Sequence, residues 1–404
     1  MTARIEKSIL CGEVTAPPSK SMSHRMLILA ALSGGKCKVE NLDYSEDVLA
    51  MLDCLEALGA KYTKIDSTVI IDGTDFLENV SPTLNCRESG NTLRFMIPLC
   101  LTTGKRITLN GSKRLMERPQ SVYEEICRHN GFLYEKGDGC VTVHGDIGSR
   151  FERCSHTYID GSVSSQFITG MIFALLSLKG EHYIYIEEPF ESRSYVELTI
   201  SAVKEFGGDV RLCDNDIYIV GKSLKPRDVV VEGDYSNAAF LDAFNCMGGN
   251  VNVKGLSLKS AQGDRVYKYH FAALMNGCPT IDISDCPDLG PIYIALGAML
   301  NGCKLTGTRR LAMKESDRGA AMQEELINFG LEIEVKNNEI IVPKRELMRP
   351  LTPLYGHNDH RIVMALAVMC SVLGGEIEGA EAVRKTFPNF FDVIKGLGAN
   401  VELI

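Results

Sequence analysis

Two kinds of segment alternate along the chain. The first is an apolar run entered through polar residues and closed by glycine: SMSHRMLILAALSGG (21–35), SGNTLRFMIPLCLTTG (89–104), SVSSQFITGMIFALLSLKG (162–180), YSNAAFLDAFNCMGG (235–249), PDLGPIYIALGAMLNG (287–302) and NDHRIVMALAVMCSVLGG (358–375). The second is amphipathic, also stops at glycine, and leads into a strand-like stretch. Its copies end at ALGAKY (57–62), HNGFLY (129–134), EFGGDV (205–210), LMNGCPT (274–280), NFGLEI (328–333) and GLGANV (396–401). There are six of each, three before about residue 225 and three after. Glycine accounts for each stop, because it enters the left-handed conformation that closes a helix at no Cβ cost. A spacing of roughly 50–75 residues is too long for most solenoids, so the pattern predicts repeated α/β units in two similar halves. GKSLKPRDVVVEGD (221–234) is the crossing between them.

The apolar runs are hydrophobic nearly all round, which predicts helices buried inside each half. Their first residues are Ser, Asn, Asp, Lys, Arg and Gln. Any one such start reads simply as an N-cap. Six together suggest parallel helices with aligned N-termini, presenting positive dipole ends and free N–H groups on one face of each half. Two such faces meeting would bind a multiply anionic ligand.

Composition narrows the function classes. A chain of 404 residues favours two domains, and 45% hydrophobic with 24% charged residues is ordinary for a soluble enzyme. The net charge of −9 and the absence of Trp argue against nucleic acid and acidic membranes as partners, so an anionic substrate needs a local cationic cleft. The first residues, MTARIEKSILCGEV, lack the apolar run of a signal peptide, and the longest apolar stretch, 362–373, is too short to span a bilayer. The fourteen Cys form no C-x-x-C pairs and the His form no H-E-x-x-H cluster. A cytoplasmic protein with no metal site is the expectation.

Ten motifs fall in one order: APPSKSMSHR (16–25), ESGNTLR (88–94), KRLMERP (113–119), GSVSSQF (161–167), SRSY (192–195), VEGDYSNAA (231–239), CPDLGP (286–291), KESDR (314–318), NDHR (358–361) and RKTFPNFF (384–391). Together, over about residues 10–395, they resemble the 5-enolpyruvylshikimate-3-phosphate synthase family. The resemblance implies an α/β (α+β) fold of two similar lobes, each of three βαβαββ-type units around buried parallel helices, the enolpyruvyl transferase fold. It implies a C-terminal lobe of residues 1–14 and 229–404, an N-terminal lobe of 19–225, and hinge crossings near 14–19 and 226–232. The implied reaction adds the 5-hydroxyl of shikimate-3-phosphate to C2 of phosphoenolpyruvate while C3 gains a proton. The tetrahedral intermediate then loses inorganic phosphate and a proton. No metal or organic cofactor is implied; the partners are the two small-molecule substrates, and a monomer is expected.

Such chemistry needs cations for two phosphates and two carboxylates, a base for the hydroxyl and an acid/base group at C3. By resemblance, Lys20, Arg118, Arg318, Arg361 and Lys385 take phosphoenolpyruvate, with Gly90 and Gln166 beside it. Arg suits this role because its planar fork grips carboxylate and phosphate bidentately. The resemblance places Ser21, Arg25 and Asn91 on the shikimate-3-phosphate carboxylate side, with Lys20 also touching that substrate. Ser164, Ser165 and Ser192 take its phosphate, and Gln166 and Tyr195 lie beside its ring. A Ser-Ser pair opening a helix is a phosphate cradle in its own right. Asp288 matches the family's base, with Lys314 near the ring hydroxyls, Glu315 matches the proton shuttle at C3, and Lys20 completes the catalytic set. On residues alone, Asp288 reads equally as an N-cap and Glu315 as an exposed helix carboxylate.

Asn91, Arg310 and Ser194 depart from common family residues; Asn91 still donates a hydrogen bond, whereas Arg310 is left outside the site. The sister family, UDP-N-acetylglucosamine enolpyruvyl transferase, uses a loop Cys before an Arg-Pro pair. Here KRLME (113–117) precedes Arg118-Pro119, with Lys113 in the comparable place. A non-catalytic two-lobed binding protein would use the cations but have no need of Asp288 and Glu315. Gly90 also matches the glycine that leaves room for glyphosate in sensitive members, so an added methyl is expected to exclude the inhibitor selectively.

Overall fold

The computed structural model describes residues 1–150 and 154–404. It divides into two compact units, Lys20–Glu232, and Met1–Ser19 with Gly233–Ile404.

In the unit Lys20–Glu232, three four-stranded sheets follow one plan, a parallel pair extended by two antiparallel strands. Thr83–Asn85 lies parallel to Ile107–Asn110, followed by Cys140–His144 and Leu133–Gly137. Cys154–Asp160 lies parallel to Glu181–Glu187, followed by Asp216–Val220 and Val210–Cys213. Parallel neighbours need a long crossover, and the apolar helices Gly90–Cys100 and Ser165–Ser177 supply it. The amphipathic helices Ser121–Asn130 and Arg193–Glu205 then lead into the hairpins. In the third sheet, Lys20–Leu32 leads into Lys36–Glu40 and Glu46–Ala57 into the hairpin of Lys61–Ile65 and Thr68–Asp72. Its parallel partner is Val229–Val230, from the far end of the unit. That pairing keeps residues 229–232 here, where the sequence placed 229 onward with the C-terminal lobe.

The second unit repeats the plan. Thr280–Asp282 and Cys303–Thr306 are joined across the helix Gly290–Met299, with Glu339–Val342 and Glu334–Lys336 outside them. Leu354–Tyr355 and Gly375–Glu378 are joined across His360–Leu373. The chain's first strand, Thr2–Glu6, stands between Gly375–Glu378 and Asn400–Leu403, in the place a hairpin strand occupies elsewhere. Cys11–Thr15 similarly pairs in parallel with Asn250–Lys254 after the helix Tyr235–Cys246.

The six apolar runs are all helices, and their burial explains their composition. Ser165–Ser177 is buried at every position except Gln166, and His360–Leu373 at every position except its last two. The strands alternate instead, as in Lys36–Glu40, where only Cys37 and Val39 face inward. Glycine closes the helices in left-handed geometry, with φ +74° at Gly34 and +70° at Gly131. Gly277 differs: at φ 170° it is extended, and the helix Tyr267–Asn276 ends without the left-handed turn.

Candidate active site

In the unit Lys20–Glu232, the polar starts of the apolar helices are tied together by side chains. Ser89 caps Gly90–Cys100 by accepting from the Thr92 amide, and Ser164 caps Ser165–Ser177 by accepting from the Gln166 amide. Across these two starts, Gln166 donates to Asn91 Oδ1 at 2.6 Å and accepts from Arg94 Nη1 at 2.6 Å. Arg94 also donates to the Ser164 hydroxyl at 3.4 Å and to the Pro119 carbonyl at 2.8 Å, with its guanidinium over the Phe167 ring. One buried arginine therefore sets three residues around the Ser164–Ser165 turn. Ser192, at the start of Arg193–Glu205, has a left-handed φ of 54° and its hydroxyl does not cap the helix.

Arg25 is buried, and each of its three nitrogens donates within the protein: to Thr199 Oγ1 (2.9 Å), the Ser21 carbonyl (2.7 Å) and the Tyr195 carbonyl (2.9 Å). Burial brings its pKa down to about 10. Arg25 thus fixes the backbone at Ser21 and Tyr195. Lys20 donates to Asp47 at 3.0 Å. Burial first, then the charges of Lys20 and Arg25, hold the buried His24 well below the usual histidine range. It is neutral, so the cations here carry the field. Arg118 lies directly over Gly90: a Cβ at Gly90 would stand 2.5 Å from Arg118 Nη1 and 2.9 Å from its Cζ. The glycine is a seat for the guanidinium, and the added methyl would meet protein before it met an inhibitor.

The unit containing Gly233–Ile404 centres on Arg318, whose side chain is 1% exposed. Its Nε donates to Asp359 Oδ2 at 2.9 Å, Nη1 to Asp288 at 2.7 Å and Nη2 to Glu315 at 2.9 Å. Asp359 is fully buried and also caps His360–Leu373 through the Arg361 amide, at 2.9 Å. Asp288, in the short 3-10 turn before Gly290–Met299, also receives Lys314 Nζ at 2.9 Å. Arg361 donates to Asn237 at 2.9 Å over the Phe240 ring, and Lys385 donates to the Asn358 carbonyl at 2.6 Å.

The charges in this group shift one another. Burial disfavours the Asp288 carboxylate, but Lys314, Arg318 and Arg361 outweigh it and hold the carboxyl well below the usual range. Burial, opposed by Asp288 and reinforced by Arg318 and Arg310, brings Lys314 down to about 8. Asp264 is buried behind this group, and burial followed by the charge of Asp288 raises it to about 7. Asp288 is therefore ionised at neutral pH, while Lys314 and Asp264 titrate close to it.

The expected residues divide between the two units. Lys20, Ser21, Arg25, Gly90, Asn91, Arg118, Ser164, Ser165, Gln166, Ser192 and Tyr195 lie in Lys20–Glu232. Asp288, Lys314, Glu315, Arg318, Arg361 and Lys385 lie in the other. Sequence reading passed over Arg94, which stands inside ESGNTLR, and Asp359, which reads as an ordinary cap in NDHR. Asn237 stands inside VEGDYSNAA without being singled out, and Asp264 lies in none of the ten motifs. Among the described residues, Glu324, Glu325 and His357 bring three potential metal-ligand atoms within 4.8 Å of one another. Both oxygens of Glu325 are already engaged, by His357 and by the Tyr355 amide.

A family model described as EPSP synthase (3-phosphoshikimate 1-carboxyvinyltransferase) matches residues 6–278 and 275–394. A 3-phosphoshikimate 1-carboxyvinyltransferase of Clostridium kluyveri is 36% identical over 421 residues, covering 98% of this chain and 97% of the relative. One from Clostridium novyi is 35% identical, covering 99% and 98%. Among solved structures, an EPSP synthase from Acinetobacter baumannii superposes with a TM-score of 0.77 at 21% identity, covering all of both chains. The enolpyruvyl transferase NikO from Streptomyces tendae gives 0.79 at 13% identity, covering 99% and 98%, a likeness of fold alone.

Proposed function

The chain belongs to the EPSP synthase (3-phosphoshikimate 1-carboxyvinyltransferase) family, and on that premise we propose that its two polar constellations divide the work of one reaction. The enzyme transfers the enolpyruvyl group of phosphoenolpyruvate to the 5-hydroxyl of shikimate-3-phosphate, releasing inorganic phosphate, in the shikimate pathway. The observation that carries the assignment of roles is Arg318, buried and held at once by Asp288, Glu315 and Asp359.

Asp359 fixes the guanidinium through Nε at 2.9 Å and through Nη2 at 3.3 Å, so an incoming carboxylate or phosphate competes with Asp288 for Nη1 and with Glu315 for Nη2. Arg361, Lys385, Arg118 and Lys20 supply the rest of the cationic charge for phosphoenolpyruvate, with Gly90 and Gln166 beside it. As the substrate anions draw Arg318 and Lys314 toward themselves, Asp288 loses the partners that depress its basicity. It then takes the proton of the 5-hydroxyl. Glu315, released from the same guanidinium, takes up a proton from water as the substrates bind and gives it to C3. Glu315 recovers that proton from C3 as the C–O bond to phosphate breaks, and the proton held by Asp288 passes to the departing phosphate, so the enzyme ends in its starting protonation state.

Ser164, Ser165 and Ser192 bind the phosphate of shikimate-3-phosphate, supported by the helix starts they occupy. Asn91, Gln166, Tyr195 and Lys314 flank its ring, and Ser21 its carboxylate. Arg25 acts through the carbonyls of Ser21 and Tyr195, since its nitrogens are committed to protein partners. No helix among the described residues is long and apolar enough to cross a membrane; we place the enzyme in the cytoplasm as a monomer. The test is phosphate release with both substrates and with each alone. Release that requires both, with the enol ether product seen by proton NMR, supports the assignment; release without shikimate-3-phosphate counts against it.

A further inference from the structure

Seven residues beyond Arg318 on the helix Arg318–Asn328, and so on the same face, stands Glu325. Its side chain is 7% exposed. One carboxylate oxygen bonds His357 Nε2 at 2.8 Å and the other accepts the Tyr355 amide at 2.9 Å. Between these contacts and Asp359, the backbone passes through two successive left-handed residues that are not glycine, His357 at φ 48° and Asn358 at φ 49°. Such a turn is strained and persists only where surrounding contacts hold it. The next contacts are the ones the site uses: Lys385 donates to the Asn358 carbonyl, and Asp359 grips Arg318.

We propose that Glu325, with His357, is a positioning latch that holds the turn 355–358 so that Asp359 and Asn358 present Arg318 and Lys385 to phosphoenolpyruvate. The proposal rests on the reading of Arg318 and Lys385 as cations for that substrate. Neither latch residue is catalytic; both act through the turn. His357 faces Glu325 and Glu324 on the helix, Asp359 along the turn, and the Tyr355 ring at 4.9 Å. The hydrogen bond to Glu325 comes first among the causes that raise the His357 pKa; the nearby carboxylates add to it against burial. A raised pKa gives a contribution that is full below the unfolded-chain value of about 6.5 and is lost as pH rises through the folded value. The latch is therefore tightest on the acid side.

The test is steady-state kinetics of Glu325→Ala, Glu325→Gln and His357→Gln from about pH 5.5 to 9, with thermal unfolding of each. Glu325→Ala is expected to raise KM for phosphoenolpyruvate about ten-fold while KM for shikimate-3-phosphate stays put. Glu325→Gln, which keeps an acceptor for the Tyr355 amide, should recover most of the loss. His357→Gln should flatten the rise in KM for phosphoenolpyruvate that the unmodified enzyme shows with increasing pH. A folded Glu325→Ala with unchanged KM for phosphoenolpyruvate, or with both KM values raised alike, overturns the latch. If Glu325→Ala does not fold, His357→Gln decides, and an unaltered pH profile overturns it. Arg318→Lys run alongside separates the two levels. No effect there removes the reading of the site and the latch with it, whereas a raised KM there with none in Glu325→Ala removes the latch alone.

Discussion

Substituting Gly90 by alanine probes the phosphoenolpyruvate cations without removing any of them. The new methyl carbon would lie 2.5 Å from Arg118 Nη1, 2.9 Å from Cζ and 3.1 Å from Nη2. A comfortable contact is about 3.5 Å, so the guanidinium must retreat by about 1 Å. What moves is the tip of a flexible side chain, and Gly90 starts a helix with no left-handed φ, so the fold tolerates the change. A cation misplaced by about 1 Å can cost up to about 100-fold in rate, so kcat/KM for phosphoenolpyruvate should fall by about 10- to 100-fold, or about 1.4–2.8 kcal/mol. Glyphosate should weaken as well, because both ligands lose the same guanidinium. The assay is initial-rate phosphate release at saturating shikimate-3-phosphate, repeated in an Arg118→Ala background. There Gly90→Ala should cost almost nothing, since its penalty acts through Arg118. An undiminished penalty in that background, or an unchanged kcat/KM in the single variant, refutes the steric reasoning.

Other outcomes follow from the Arg318 group. Because Lys314 titrates at about 8, kcat/KM should fall above that pH, and Lys314→Arg should move the alkaline limb upward; an unmoved limb assigns it to another group. Its stability effect has the opposite sign. The unfolded chain binds the extra proton between about 8 and about 10.4, so this group makes the fold more stable as pH rises through that window, which urea titrations would detect. Asp359→Asn leaves the buried Arg318 without its firmest partner and should cost about 3 kcal/mol of stability by chemical denaturation, with KM for phosphoenolpyruvate raised. A loss below about 0.5 kcal/mol would show that Asp288 and Glu315 suffice to hold it.

The repeat was legible because it is written in local chemistry: apolar helices must be hydrophobic all round to lie inside a unit, and glycine must stand where they stop. The strand exchange was harder to place. Val229–Val230 pairs with Lys36–Glu40 across almost the whole unit, and nothing in a two-residue strand marks its partner. The same distinction runs through the site. Motif residues such as Asp288, Lys314, Glu315 and Arg318 stand at element boundaries and could be named from the chain. The roles of their supports could not: Asp359 and Asn237 stand inside motifs and Glu325 in none, but all three acquire their roles only through partners brought near by folding. Arg25 shows the reverse case, a motif arginine whose nitrogens go to Thr199, Ser21 and Tyr195.

The division of labour between Asp288 and Glu315 is tested most directly by measuring binding and a single turnover in the same variants. Asp288→Asn and Glu315→Gln each keep the size of the side chain and remove its proton-transfer capacity. Calorimetric titration should show shikimate-3-phosphate bound with near-native affinity. Rapid-quench formation of the enolpyruvyl product should slow by about 10²- to 10⁴-fold in each variant. Native single-turnover rates in either variant, or a loss of rate matched by an equal loss of substrate binding, would contradict the assignment of base and proton shuttle.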